Sequence, residues 1–185
     1  MNIVLLCDRV VNKIKRNYRK YVFRTKIGCR HNCFSLVEKV HLINTNIKLG
    51  KNVTIYPDVM FHGDGPIVIG DNVAIGNGTI IYASKFGGGV TIGNNTMIAA
   101  QSYIIDTDHG IAADILIREQ ANSVAPVEIG EDVWIAANVT VLKGSKISNG
   151  AVIGAKALVK GEIPENAIAV GVPAKVRKYR REIAN

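Results

Sequence analysis

Residues 127–159 read VEIGEDVWIAANVTVLKGSKISNGAVIGAKALV, and an aliphatic side chain returns at every sixth position: Ile129, Ile135, Val141, Ile147, Ile153 and Val159. The same spacing runs upstream through Leu49, Ile55 and Phe61, then Ile69, Ile75 and Ile81, then Ile92, Ile98 and Ile104. Small residues often follow the aliphatic (Gly50, Gly70, Gly76, Gly93, Ala99, Gly130, Ala136, Gly154), and a small or β-branched residue stands four positions on, as at Val53, Val73, Thr96 and Val133. A period of six matches neither a helical stripe near 3.6 nor a single alternating strand. It fits a parallel β-helix in which each hexad is one short strand plus a corner and three hexads close a coil. The aliphatics point inward and stack from coil to coil. Asn52, Asn72, Asn77, Asn94, Asn95 and Asn138 are the candidates for corners that need positive φ. An Ile-rich β-sandwich is the competing architecture, but hairpin strands do not sustain one spacing over so many hexads.

The register slips in three places. Two extra residues fall near Gly65–Pro66, five near Phe86-Gly87-Gly88-Gly89, and a long piece, His109 to Pro126, separates Ile104 from Ile129. Insertions leave a solenoid as loops, and loops on a rigid scaffold often carry function. The expected organisation is an N-terminal basic helical cap over 1–46, the β-helix over 47–163 with its loop at 109–126, and a C-terminal cap with a short basic helix over 164–185.

The chain has 185 residues and a formal net charge of +8. Residues 1–40 hold ten Lys/Arg against Asp8 and Glu38, and residues 175–182 hold five against Glu182. The body between is mildly acidic, with eight basic residues against twelve acids. Residues 1–26 place Val4, Leu5, Val10, Val11, Ile14, Tyr18, Tyr21 and Val22 at near-helical spacing among Lys13, Lys15, Arg16, Arg19 and Lys20. This predicts a basic amphipathic helix that caps the open end of the solenoid or packs in an oligomer. Peripheral contact with a membrane surface is the second role such a helix permits. Val176–Ile183 reads as a second short basic helix. The three cysteines, Cys7, Cys29 and Cys33, form no disulfide framework. No signal peptide or spanning segment is evident, so the expected compartment is the cytoplasm.

The string Val-Glu-Ile-Gly-Glu-Asp-Val-Trp-Ile-Ala (127–136), with Val-Ile-Gly-Ala (152–155), Ile-Pro-Glu-Asn (163–166) and Ala-Val-Gly-Val-Pro-Ala-Lys (169–175), resembles the signature of the hexapeptide-repeat acetyltransferases. Sugar and polysaccharide O-acetyltransferases are the most similar members. The resemblance covers roughly two thirds of the chain. It implies a left-handed parallel β-helix, acetyl-CoA as co-substrate with no metal, and a homotrimer with its sites between subunits. The acceptor would be a small molecule or glycan.

The segment Met97–His109 matches, without a gap, the family segment that ends at its catalytic His, so the role passes to His109. Polysaccharide-modifying relatives often show Asp-His-x-His here, whereas this chain has Asp106-Thr107-Asp108-His109 and retains only the last His. Asp108 is the weaker candidate to orient the imidazole, with Asp106 as the alternative. The same resemblance assigns Trp134, Ala137, Ala155, Lys160, Lys175 and Lys178 to the neighbourhood of CoA. Tyr82 and Arg118 are offered as acceptor contacts. An acetyl thioester is already activated, whereas a sugar hydroxyl is protonated near neutral pH. A His base therefore supplies what is missing, typically worth about 10²–10⁴-fold. N-acetylation of an amino sugar or of a xenobiotic, and an inactive scaffold, are the alternatives. A zinc carbonic anhydrase on the same helix is disfavoured because the coils hold only His62 and His109. No nucleic-acid motif accompanies the basic ends.

Overall fold

The computed structural model describes residues 3–31 and 33–180, with side chains from residue 7 onward. Its body is a parallel β-solenoid of about seven turns behind one N-terminal helix. The first face carries the strands Phe34–Leu36, Val53–Ile55, Ala74–Ile75, Met97–Ile98, Trp134–Ile135, Val152–Ile153 and Ala167–Val170 in that spatial order. The second runs from His41–Leu42 through Met60–Gly63, Ile80–Ala83, Tyr103–Ile105 and Thr140–Val141 to Leu158–Val159. The third runs from Ile47–Leu49 through Ile67–Ile69, Val90–Ile92, Val127–Ile129 and Lys146–Ile147 to Glu162–Ile163. The coils thus begin at Phe34, ahead of the boundary at 47 that the hexads suggest. Leu36 and Leu42 keep the six-residue step, but Leu42 and Leu49 are seven apart, and this slip separates the first coil from the run that starts at Leu49.

The periodic aliphatics become three interior columns. Leu36, Ile55, Ile75, Ile98, Ile135, Ile153 and Ala169 are register partners along the first face. Leu42, Phe61, Ile81, Ile104, Val141 and Val159 line the second. Leu49, Ile69, Ile92, Ile129, Ile147 and Ile163 line the third. Burying each Ile or Val inside these columns contributes roughly 1.5–3 kcal/mol. Where a polar residue replaces an inward aliphatic, its hydroxyl finds backbone. Thr96 donates to the carbonyl of Gly130 at 2.8 Å and accepts from the N–H of Val133 at 3.2 Å.

Positive φ recurs at all three corners. Asn52, Asn72, Asn95, Asp132, Gly150 and Asn166 stand between the third and first faces, Asp58, Gly78, Gln101, Asn138 and Lys156 between the first and second, and Gly63, Gly89, Gly144 and Gly161 between the second and third. The side-chain amides of Asn52 and Asn72 each donate to the next Asn up the stack, at 3.1 and 3.0 Å. Asn77 and Asn94 do not take the turning position expected of them. Gly78 turns the chain beside Asn77, and Asn94 instead accepts the N–H of Asp71 at 2.8 Å.

The two ends differ from expectation. Helix α1, Ile3–Lys26, forms as predicted, though the side chains of Val4 and Leu5 lie outside the described residues. The residue that plugs the solenoid is Phe23, absent from the predicted apolar stripe. It is buried, with its ring 5.6 Å from Phe34 and 6.2 Å from Phe61. Val10, Val11, Ile14, Tyr18 and Tyr21 are all exposed. The predicted C-terminal helix over 176–183 is corrected: Lys175–Tyr179 is an exposed strand, antiparallel to Ala167–Val170, and Arg181, Glu182 and Ile183 lie outside the described residues. The last coil would otherwise present an unpaired strand edge, and a basic strand both pairs it and discourages further pairing. Arg180 secures this return by donating to the Asp132 carboxylate at 2.8 Å and the Gly150 carbonyl at 2.9 Å.

Ile75 is fully buried between Ile55 and Ile98. Ile75→Ala is expected to cost about 3 kcal/mol in urea-induced unfolding, and a loss below about 1 kcal/mol would show that the columns do not carry the stability assigned to them.

Candidate functional site

All three insertions leave at one corner, between the second and third faces. Residues 63–66, 84–89 and 106–126 succeed one another there from coil to coil. The long loop is closed at its neck by the strands Thr107–Asp108 and Ser123–Val124, which pair antiparallel. His109 is the first residue beyond that neck and is exposed. Within the loop Gln120 acts as an internal clasp. Its Oε1 accepts the N–H of Ala112 at 2.7 Å, and its Nε2 donates to the carbonyls of Ala112 and Ile115 at 2.9 and 2.7 Å.

The corner is held by Asp106. Its side chain is fully buried, yet both carboxylate oxygens accept backbone N–H groups from the glycine-rich loop of the preceding coil: Oδ1 from Ser84 at 2.7 Å and Oδ2 from Gly89 at 3.1 Å. Burial pushes this carboxyl above the usual Asp range, against the bonds from Ser84 and Gly89 that pull it down. The glycines are required by the approach. A Cβ on Gly87 would stand 2.3 Å from Asp106 Oδ2. One on Gly89, which has φ +81°, would stand 2.3 Å from the carbonyl oxygen of Pro66. One acid thus ties the strand leading to His109 to the loop above it.

Asp108 is exposed and faces the next coil, where its carboxylate lies 3.7 Å from Lys143 Nζ. That ammonium also donates to Ser123 Oγ at 2.9 Å, so Lys143 braces both strands of the neck. Among the described residues no hydrogen bond joins Asp108 to His109, and Asp106 is committed to Ser84 and Gly89.

Tyr82 stands on the outer side of the second face, in register with Ile105 below and His62 above. Its ring stacks on His62 at 5.0 Å and 21°. His62 Nδ1 is buried without a hydrogen-bond partner. In the sequence His62 reads only as a coil histidine. The signal that could have found it is its separation of twenty residues from Tyr82, one coil length here. Tyr103, one position along the same face, has its hydroxyl pKa raised by burial first and by Tyr82 second.

The remaining predicted residues lie elsewhere. Trp134 is exposed on the first face, beside Met97 and Val152. Ala137 and Ala155 stack at the corner between the first and second faces, where the N–H of Lys156 donates to the Ala137 carbonyl at 3.0 Å. Lys175 and Lys178 are on the terminal antiparallel strand. Lys160 follows Leu158–Val159 at the loop corner, two coils beyond the loop, and Arg118 is exposed in the short 3₁₀ turn Ile117–Glu119. One chain therefore brings Tyr82, Asp108, His109 and Arg118 to the second face and its loop corner. It places Trp134, Ala137, Ala155, Lys175 and Lys178 on the first face and the corner beyond it. Among the described residues, no three His, Cys, Asp or Glu side chains converge as metal ligands.

A three-faced parallel solenoid that sheds all its insertions at one corner defines a class, the hexapeptide-repeat proteins. The family model described as bacterial transferase hexapeptide (six repeats) matches residues 126–161, and that described as hexapeptide repeat of succinyl-transferase matches residues 66–106. The chain belongs to the hexapeptide-repeat transferase family. A putative colanic acid biosynthesis acetyltransferase of Escherichia coli, WcaF, is 33% identical over 135 residues, covering 73% of this chain and 70% of that protein. A putative lipopolysaccharide biosynthesis O-acetyl transferase of the same organism, WbbJ, is 39% identical, covering 65% of this chain and 64% of that one. A probable acetyltransferase of Mycobacterium tuberculosis is 40% identical over 64% of this chain, which spans only 39% of that protein. In three dimensions the chain is similar to AntD, an N-acyltransferase from Bacillus cereus solved with dTDP-4-amino-4,6-dideoxyglucose and coenzyme A. The TM-score is 0.70 at 22% identity, over 81% of this chain and 82% of that one, a likeness of fold.

Asp106→Ala strands two backbone N–H groups and is expected to destabilise the fold by about 2–4 kcal/mol in urea unfolding. Because burial holds the folded-state pKa of Asp106 above its unfolded value, its ionisation opposes folding. That penalty is complete above the folded pKa and fades as pH falls through it toward about 4. The stability of the wild type relative to Asp106→Asn should therefore improve as pH is lowered through that window. A difference that is flat or worsens would contradict the buried, ionisable corner.

Proposed function

We propose that the protein is an acetyl-CoA-dependent O-acetyltransferase acting on a sugar hydroxyl in bacterial surface polysaccharide or glycan biosynthesis. The observation that carries this reading is the position of His109. It is exposed at the mouth of the one long loop, on a corner pinned by Asp106, at the end of a segment that matches the family's catalytic segment without a gap. The relatives described as O-acetyltransferases of lipopolysaccharide and colanic acid biosynthesis support the acceptor class.

In this mechanism His109 accepts the proton of the acceptor hydroxyl as that oxygen attacks the thioester carbonyl. Backbone N–H groups stabilise the tetrahedral oxyanion. Collapse breaks the carbon–sulfur bond, and the CoA thiolate takes the proton back from the imidazolium. Asp108 joins the catalytic group by setting the neck from which His109 projects. Its ion pair with Lys143, at 3.7 Å, supports a positioning role on the strand in place of a direct bond to the ring.

Assembly supplies the co-substrate. Trp134, Ala137, Ala155, Lys175 and Lys178 stand apart from His109 in one chain, so a homotrimer that sets one subunit's first-to-second corner against a neighbour's loop corner would complete the site. Small Ala137 and Ala155 would then admit the pantetheine arm. Lys160, Lys175 and Lys178 would meet its phosphates. Tyr82, backed by the stacked His62, and Arg118 would contact the acceptor. The cytoplasm, where acetyl-CoA is made, is the matching compartment.

His109→Ala should lower kcat for transfer from acetyl-CoA to a sugar hydroxyl by about 10²-fold or more, leaving the Kd for CoA and the trimeric mass unchanged. Wild-type turnover in this variant would remove His109 from the reaction. Faster transfer to amino sugars than to hydroxyl acceptors would convert the assignment to N-acetylation.

A further inference from the structure

We infer that α1 is an interfacial helix that seats the protein on an anionic phospholipid surface. The solenoid uses little of the helix. Phe23 fills the end of the core, and Arg9, Asn12, Lys13, Lys15, Arg16 and Arg19 line a groove against Val37 and Glu38 of the first coil. At about 100° per residue Asn12, Arg16, Arg19 and Phe23 define the side of α1 turned to that coil. Val10, Ile14, Tyr18 and Tyr21, spaced i, i+4, i+8 and i+11, fall on the other side, with Cys7 and Val11 beside them. That stripe is open: Ile14, Tyr18 and Tyr21 are 62%, 67% and 59% exposed.

The borders of the stripe name the occupant. Lys13 and Arg24 lie along one edge and Lys15 and Lys26 along the other, where the stripe gives way to the surface facing the first coil: Lys13 and Lys15 also line the groove there, and Lys26 and Tyr18 a crevice beside Leu36 and Leu42. Over Ile3–Lys26 there are eight Lys/Arg and a single acid, Asp8. An apolar strip between two cationic edges fits the boundary of a negatively charged bilayer. The aliphatics enter the acyl region, Tyr hydroxyls stay among the headgroups, and long basic side chains reach lipid phosphates while their stems remain in contact with apolar surface. Pairing the same stripe with a second copy would bring like-charged edges together. No helix among the described residues is long and apolar enough to cross a membrane, so the contact is with the surface. The inference stands on α1 alone and does not depend on the acetyltransferase reading.

The test is co-sedimentation of the full chain with two kinds of vesicle, pure phosphatidylcholine and phosphatidylcholine with about one third phosphatidylglycerol. Binding to the anionic vesicles, weakened by added salt, is expected. Ile14→Asp and the double variant Lys13→Glu with Lys15→Glu should each reduce that binding about tenfold or more. Both change exposed side chains, so thermal unfolding should match the wild type, which separates lost docking from lost folding. Failure to bind anionic vesicles at low salt would overturn the inference, as would binding indifferent to Ile14→Asp. So would a concentration-dependent oligomer that Ile14→Asp dissolves without any vesicle binding, because the stripe would then be covered by another copy. Retention on short duplex DNA, unaffected by Ile14→Asp and stronger than retention on vesicles, would likewise overturn it.

Discussion

Every coil must lie in register on the one before it, and this constraint organises the molecule. The backbone N–H groups of one strand bond to carbonyls of the adjacent coil, as from Tyr103 to Val139 and from Ala99 to Ile135. The inward side chains of those strands meet in the three aliphatic columns. An extra residue inside a face would turn every following side chain in that strand from core to solvent. Insertions can therefore enter only at a corner, and here they enter at the same one in successive coils. The Gly-rich turn at 84–89 then lies directly against Asp106, and the long loop springs from a site already rigid. Functional side chains are carried outward by a scaffold that has no room to adjust beneath them.

The same constraint makes the ends expensive. A solenoid has no natural boundary, so the first coil exposes its interior and the last exposes a strand edge. Phe23 closes one and the Lys175–Tyr179 strand closes the other. Among the described side chains of α1, a helix 24 residues long, Phe23 is the one that is buried. A single well-placed aromatic ring needs only the last turns of α1, which leaves the remaining apolar and basic surface available for other contacts.

Near the loop corner, one buried polar group has its partners in place and another does not. Asp106 has both oxygens satisfied by backbone N–H groups, which makes a buried carboxyl tolerable and turns it into a fastener between coils. His62 is the counter-example: its Nδ1 is buried without a partner beside Tyr82.

The hexads in the sequence were enough to determine the coil architecture, its interior columns and the places where loops leave, because each inward aliphatic needs only the one six residues away to set its position. The candidacy of His109 came from the resemblance of Met97–His109 to a family segment and from its place at the mouth of the longest insertion. The C-terminal segment was misread as a helix because its basic, apolar-poor pattern suits a helix or an edge strand equally. Only the unpaired strand Ala167–Val170 decided between them. The stripe on α1 suggested burial, and the packing of Phe23 turned that stripe toward solvent. The pairing of His62 with Tyr82, the grip of Asp106 on Ser84 and Gly89, and the brace from Lys143 to Asp108 depend on which coil lies against which after insertions of unequal length. Local periodicity sets what faces inward; contacts between coils exist only once the whole stack is in register.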